Sequence, residues 1–395
     1  MSPTDLLQSI NSATETLPGQ VSETDRLALL AACDKLRSAL EVPMETTMRV
    51  TGGVYESAAL ITAIDMGLID AGVTAAAAQP TFAIAQLAEA TSADSLLIVR
   101  LMRMLCGMNV FKEVDVATYK STPLAQAYAI GSPFKQIAIH LASHGPAAAL
   151  LPDYFAEKGY KSPNDTYDSP FQYAMRTKQH YFDYVGAIPR LQHALNTVMS
   201  TCPGNLGQDW FEYYPVEEKL RVNGPSDMVL VDVGGNTGGD VATFKKHFPD
   251  LAGRVILQDL PSVIEGAQTS PAGVESMGHD FFTPQPIKGA KAYYLRLVIH
   301  DWPDKQAKII LELIRDAMTP DSILLLNETL VPESGVPLYD AEMDMTMMVV
   351  FGSLNRTEAQ FQQLLDSVGF EVAKVWKPEV VVPGSTTLFE AVLKK

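Results

Sequence analysis

Cysteine is scarce in this chain: three thiols in 395 residues, Cys33, Cys106 and Cys202, widely spaced and without a CxxC pair. That excludes a disulfide framework and suits a reducing compartment, where a free thiol packs as a small hydrophobe. Two of the three stand in apolar, helix-patterned surroundings and are expected to be inert core side chains. Long apolar runs are missing too, since no stretch approaches the roughly 20 residues of a membrane span. Residues 1–20 hold no Lys or Arg and no apolar segment, so they read as no secretory signal; the expected location is the cytoplasm, with no membrane partner. Positive charge is the third shortage. Thirty Lys and Arg against 46 Asp and Glu leave a net charge of −16, which repels phosphate backbones and argues against a nucleic-acid partner. No group of His, Cys and carboxylates has metal-ligand spacing, so no metal is expected.

What the chain does have is apolar material, 47% of its residues, and a length beyond the roughly 250–300 residues at which a single core stops growing. The first half reads as helices: Arg26 to Leu40 and Leu96 to Gly107 repeat apolar residues at spacings of three and four. Ala59 to Leu68 and Phe82 to Glu89 are shorter amphipathic segments, and Ser92 is placed to N-cap the helix through Leu101 and Met104. Phe111 to Tyr119 has the spacing of a short β wing. This is the order of a winged helix-turn-helix, yet residues 1–120 hold 8 Lys and Arg against 14 Asp and Glu. A DNA-reading helix needs a basic face, so this unit is expected to pack on a partner subunit or cover a site. The Ala75 to Ala78 run is expected in a flexible surface segment and Pro152 to Pro170 in a loop, before helical periodicity resumes over Phe171 to Met199.

Beyond Asn205, short apolar runs (Met228 to Val233, Val255 to Gln258, Ala292 to Leu295, Ile323 to Asn327) alternate with segments of helical period such as Ala307 to Ala317. Alternating strand and helix predicts a parallel sheet covered on both faces. Glu371 to Trp376 and Thr387 to Val392, on either side of a Pro383-Gly384 turn, predict a closing antiparallel hairpin. The expected fold is α/β, with a Rossmann-like domain over residues 223–395, a helical connecting and substrate-lining region over 131–222, and a mainly helical winged-helix-like domain over 1–130.

The strand MVLVDV, with Asp232 near its end, runs into Gly234-Gly235-Asn236-Thr237-Gly238-Gly239 and then a helix from about Asp240. This is the first β-loop-α turn of a nucleotide site, and Asn236 at the centre is one of the few residue types that accept positive φ. At the next strand end, Asp259, followed by Leu260, can accept two hydrogen bonds from a ribose diol. Such a diol belongs to NAD and to S-adenosylmethionine alike. The loop lacks the Gly-x-Gly-x-x-Gly spacing that serves a pyrophosphate, which favours the second. His279-Asp280-Phe281-Phe282, after a short third strand near Gly273 to Met277, offers an acid to the adenine amino group and an aromatic to stack on it.

After the fourth strand comes His300-Asp301-Trp302-Pro303, beyond the carboxyl ends of the strands, where open α/β folds bind ligands. An imidazole there can take a proton from a hydroxyl near neutral pH, with Glu328 after the fifth strand placed to hold its second nitrogen and Asp301 beside it. Glu342 to Phe351, with Met347 and Phe351, is either an apolar pocket wall or ordinary helix core.

On these residues the chain resembles the plant and fungal small-molecule O-methyltransferases, most closely the fungal secondary-metabolite branch. The resemblance rests on Val231 to Asp240, Gln258 to Pro261, Gly278 to Phe282, Tyr294 to Asp304, Asn327-Glu328 and Arg356 to Phe361. In the first half it rests on Asp65 to Asp70 and Tyr119 to Thr122. It implies a class I methyltransferase domain, a homodimer joined through the N-terminal domain, and S-adenosylmethionine held by the Gly234 loop, Asp259, Asp280 and Phe281, with Arg296 nearby. It implies methylation of a hydroxyl on an aromatic or polyketide-type metabolite, with His300 as base. The second acid that flanks the base in plant members falls at Asn355. The branch also includes cyclases, pericyclases and dehydratases that keep the cofactor unconsumed; for that chemistry Arg296, His140 and His144 are the candidate donors to a substrate carbonyl. His140, Met347, Phe351 and Asn355 are the expected substrate contacts.

Overall fold

A computed structural model of the chain describes residues 2–16, 21–201, 208–266, 270–379 and 384–395. The chain divides into two compact units, one ending at Ala129 and the other beginning at Ile130.

In the first unit, helices Pro3–Thr16, Glu23–Leu40, Pro43–Asp65, Leu68–Ala78, Ile84–Thr91 and Ser95–Gly107 precede a small antiparallel sheet. Its strands are β1 (Phe82–Ala83), β2 (Phe111–Asp115) and β3 (Thr118–Ser121), in the order β1-β3-β2. Phe82 and Phe111 meet edge to face at 5.8 Å, and a Cβ on Gly72 would fall 2.6 Å from the Phe111 ring, so only glycine lets that helix lie on the wing. Three sequence expectations are corrected. Ser92 does not cap the next helix; it ends the previous one at φ 53, and Asp94 caps Ser95–Gly107 by accepting from the Leu97 amide at 2.9 Å. The Ala75 to Ala78 run closes a helix rather than lying in an irregular segment, as the high helix propensity of alanine favours. Cys33 is exposed on its helix and so is no core side chain, Cys106 is half-buried, and Cys202 lies outside the described residues. Among the described residues no single helix is long and apolar enough to cross a membrane.

The second unit is built on β4 (Met228–Val233), β5 (Arg254–Asp259), β6 (Glu275–Gly278), β7 (Ala292–Arg296), β8 (Ile323–Glu328), β9 (Phe370–Trp376) and β10 (Thr387–Leu393). Their order is β6-β5-β4-β7-β8-β10-β9, with β4 to β8 parallel and β10 antiparallel to both neighbours. The apolar runs are near-continuous because both faces are covered. Val231, Tyr293, Leu324 and Phe389 face helices Asp304–Arg315 and Glu358–Ser367, whereas Leu230, Tyr294 and Leu325 face Trp210 and Phe244. Trp210 is stacked on Phe244 at 5.4 Å and on Tyr294 at 5.0 Å. A third core gathers Phe171, Tyr181, Val185 and Leu195 of the helical segment with Met347 and Phe351 of helix Leu338–Phe351. Pro152 to Pro170 is only partly loop, since Leu151–Glu157 is helical, and Phe171 to Met199 is broken into Pro170–Met175, Tyr181–Gly186 and Pro189–Thr201. The closing hairpin forms as expected in β9 and β10; Pro383 of its turn lies outside the described residues. The strand order reverses at β4, between β5 and β7, which opens a crevice beyond the carboxyl ends of these strands.

Candidate functional site

The loop after β4 is folded tightly onto its own strand. Gly234, Asn236 and Gly238 all take positive φ (77, 54 and 84), so Asn236 does occupy the left-handed region. A Cβ on Gly235 would lie 2.2 Å from Asp232 Oδ2 and 2.5 Å from Leu257, leaving no room for any other residue there. Asp232 is buried, its Oδ2 has no hydrogen-bond partner, and burial beside Asp240 and Asp259 pushes its carboxyl well above the usual carboxylate range. Asp259 closes the loop: Oδ2 accepts from the Asn236 amide and Oδ1 from the Leu260 amide, each at 2.8 Å. Each oxygen keeps a lone pair for a further donor.

The His279 amide donates to the Asp259 carbonyl at 2.7 Å, which brings the β6 end beside it. Asp280 is exposed and accepts from the Phe282 amide at 2.9 Å. Phe281 reaches the Gly234 loop, since a Cβ on Gly234 would sit 3.5 Å from its ring and 3.0 Å from Val298. The structure therefore assembles Asp232, Gly234, Gly235, Asp259, Leu260, Asp280 and Phe281 at one end of the sheet. Arg296, at the end of β7, is ion-paired with Asp240, whose other oxygen accepts from Tyr294 Oη at 2.7 Å. Tyr294 in turn accepts from Asn327 at 3.0 Å. Asp240 was not among the residues expected to serve the site, although its place in the first turn after the glycine loop was a usable signal.

His300 lies in a single 3-10 turn, Ile299–Asp301, beyond β7. Its Nε2 is 3.4 Å from Asp301 Oδ1, longer than a firm hydrogen bond, so the ring is only loosely held on that side. Burial pushes Asp301 up to about 8. Glu328 is fully buried at the end of β8 and uses Oε1 to accept from the Ile299 amide at 2.8 Å and the Val298 amide at 3.2 Å; Oε2 has no partner. Burial raises Glu328 above its ordinary value, while the positive charge of protonated His300 draws it back. Contrary to the expectation from sequence, Glu328 therefore does not hold the second ring nitrogen of His300; its hydrogen bonds go to the backbone of the turn, and it meets the imidazole through charge alone. Asn355 is half-buried, its amide donating to Asp344 at 2.7 Å.

Facing this turn is a buried polar cluster that sequence spacing did not reveal. Tyr181 Oη lies 3.0 Å from His144 Nε2 and 3.4 Å from His140 Nδ1. Desolvation lowers His140, and lowers His144 to about 3, so both rings are neutral; it raises Tyr181 to about 12, with the nearby Asp301 carboxylate adding to the rise. Phe351 packs on Tyr181 at 5.3 Å, and His180 is stacked between Phe351 and Trp302. Met347 belongs to the same core. A surface cavity of about 580 Å3 lined by Phe211, Tyr214, Glu217 and His247 contains none of these residues. Among the described residues no His, Cys, Asp and Glu group could hold a metal ion.

Comparison with known proteins shows the family and the fold. Residues 221–371 match the family model of the O-methyltransferase domain, and residues 48–131 that of the O-methyltransferase dimerisation domain. The O-methyltransferase penC of Penicillium thymicola is 34% identical over 384 residues, spanning 95% of this chain and 94% of that one. Demethylsterigmatocystin 6-O-methyltransferase of Aspergillus parasiticus is 32% identical over 83% of each chain. Among solved structures, LepI in complex with SAH and a substrate analogue superposes with a TM-score of 0.84 at 27% identity, covering all of both chains. OxaC with sinefungin and meleagrin gives 0.82 at 26% identity over 99% of this chain and 98% of that one. The chain belongs to the O-methyltransferase family, with that family's catalytic domain and its dimerisation domain.

Proposed function

We propose that this protein transfers a methyl group from S-adenosylmethionine to a hydroxyl of an aromatic or polyketide-type metabolite, with His300 as general base. The observation that carries the reading is the placement of His300 and buried Glu328 at the carboxyl ends of β7 and β8, next to the Gly234 loop. The residues present suit the cofactor: the tight loop Gly234–Gly238 gives close backbone approach, Asp259 has acceptor capacity for a diol, Phe281 offers an adenine-stacking face, and the orphaned Asp232 Oδ2 awaits a donor. When bound, that cofactor supplies an electrophilic methyl carbon on a cationic sulfur.

The protein's own part is to bind, orient and deprotonate. The His300 ring would take the proton of the substrate hydroxyl as that oxygen accepts the methyl group, the electrons of the former carbon–sulfur bond staying on sulfur, so that the products would be a methyl ether and S-adenosylhomocysteine. Glu328 stabilises the imidazolium so formed by its charge. Because a cation and a developing oxyanion become neutral products, a dry pocket favours the reaction, and Trp302, Phe351, Met347 and Tyr181 provide such walls. His140 and His144, kept neutral around the Tyr181 hydroxyl, would orient a second oxygen of the substrate.

The dimerisation domain and the exposed apolar side chains on the leading helices of the first unit, Leu29, Leu30, Met44, Met48, Val54 and Tyr55, support a homodimer joined through that unit. The test is incubation with methyl-labelled S-adenosylmethionine and a panel of phenolic polyketides, demethylsterigmatocystin among them. Label in an acceptor with matching S-adenosylhomocysteine supports the proposal. An intact cofactor with an isomerised or dehydrated metabolite would replace it by ring-closing chemistry, of the kind for which one solved structure of this shape, TM-score 0.82 at 27% identity, is described as a pericyclic reaction enzyme.

A further inference from the structure

The Arg356 to Phe361 segment, prominent in the sequence, has no part in the chemistry above. We infer that Arg356 is the positioning residue of the base: its guanidinium holds the turn that carries His300 in one geometry. The inference rests on His300 being that base.

The turn needs holding. Leu297, a bulky residue, enters it at φ 51, where side chains other than glycine are strained. The 3-10 turn itself is three residues long and closes on only two backbone hydrogen bonds, from the Asp301 amide to the Val298 carbonyl at 3.2 Å and from the Trp302 amide to the Ile299 carbonyl at 3.1 Å. On the strand side, Leu297 N donates to Asn327 O at 3.0 Å and Glu328 takes the next two amides. On the other side, Arg356 Nη1 donates to the Ile299 carbonyl at 3.0 Å and Nη2 to the Trp302 carbonyl at 2.9 Å, one before and one two residues after His300. Nη2 and Nε also reach Asp304 Oδ1 at 2.7 and 3.1 Å.

The arginine is fixed in turn. It is 1% exposed, lies 5.6 Å above the buried Phe361 ring, and precedes the helix Glu358–Ser367, whose capping box pairs the Thr357 hydroxyl with the Gln360 amide at 3.3 Å. Ser353 Oγ adds a donor to the His300 carbonyl at 2.6 Å. A planar fork with donors in set directions can span two carbonyls and a carboxylate at once; an ammonium is a single point charge and cannot. Arg356, with the Phe361 ring beneath it, thus bears on the turn that carries His300.

The experiment compares wild type, Arg356→Lys and Asp304→Ala, the last at an exposed position where the change takes one partner from the fork and leaves both carbonyls. The readouts are amide exchange of residues 298–304, the ring resonance of His300 assigned by its loss in His300→Gln, and affinity for S-adenosylhomocysteine. In Arg356→Lys we expect exchange in that segment to quicken at least about tenfold and the His300 resonance to move, with those of His140 and His144 in place and affinity within about twofold. With an acceptor in hand, kcat should fall about 100-fold with KM for the cofactor unchanged. Asp304→Ala should shift the same signals less, and it decides the matter if Arg356→Lys does not fold. Unmoved exchange and resonance in both variants would overturn the inference, as would loosening spread evenly over the sheet. If His300→Ala still transferred methyl, the base assignment would fall, and exchange and resonance alone would judge the clamp.

Discussion

Asp301 offers a test that needs no substrate. Its carboxyl lies beside His300 and retains about a fifth of its surface, 19%, yet burial moves it from an ordinary 3.8 to about 8. A folded value above the unfolded one means that folding takes up a proton. The stability due to this group is therefore fully present below about pH 4 and is lost as the pH rises through 8. Asn cannot ionise, so Asp301→Asn should gain on wild type across that window. The limiting slope is about 1.4 kcal/mol per pH unit, a ceiling of about 4 kcal/mol between pH 5 and 8; water at the exposed edge lowers it, and we expect roughly 1–2 kcal/mol. At about 2–4 °C per kcal/mol for a unit of this size, the melting temperature of the variant should overtake that of wild type by several degrees as pH goes from 5 to 8. Scanning calorimetry of both proteins at unit pH steps reads this directly. Parallel curves with a constant offset would refute the argument that Asp301 is held protonated by its surroundings.

The cofactor cradle is open to equally simple tests. Gly235→Ala would press a methyl group onto Asp232 and Leu257, and should weaken S-adenosylhomocysteine binding more than about tenfold by calorimetry. Unchanged affinity would show that the loop does not receive the cofactor. Asp259→Ala releases the Asn236 and Leu260 amides together and should cost at least about 2 kcal/mol of the same affinity, with Asp259→Asn intermediate. Methyl transfer should persist in EDTA, and its loss there would reveal a metal requirement that the side chains do not suggest.

Much of the second unit was legible because parallel strands buried on both faces leave plain apolar runs. β4, β5, β7 and β8 lie within a residue or so of their expected limits, and the short β6 was marked by the acid and aromatics that follow it. The first unit was harder. Pro43–Asp65 is one helix of 23 residues of which only the end was anticipated, since its apolar residues are largely exposed within the chain and so show no core-facing stripe. At Ser92 and Asp94 two good capping residues compete, and the winner is decided by backbone geometry that spacing does not encode. The site divides the same way. Residues carried by strand ends were visible, whereas Tyr181 meets His140 across 41 positions and Arg356 meets Ile299 across 57. Such contacts depend on how elements pack, and no local period records them.

The central claim is that His300 removes the proton during methyl transfer. It is tested most directly by mixing excess enzyme with methyl-labelled S-adenosylmethionine and a phenol that accepts label, then following methylated product and S-adenosylhomocysteine through one turnover in wild type and in His300→Ala. The expected result is equal amounts of the two products in wild type and a rate at least about 100-fold lower in the variant, with cofactor affinity retained. Transfer by His300→Ala within a few-fold of wild type, or a product formed with the cofactor intact, would contradict the account.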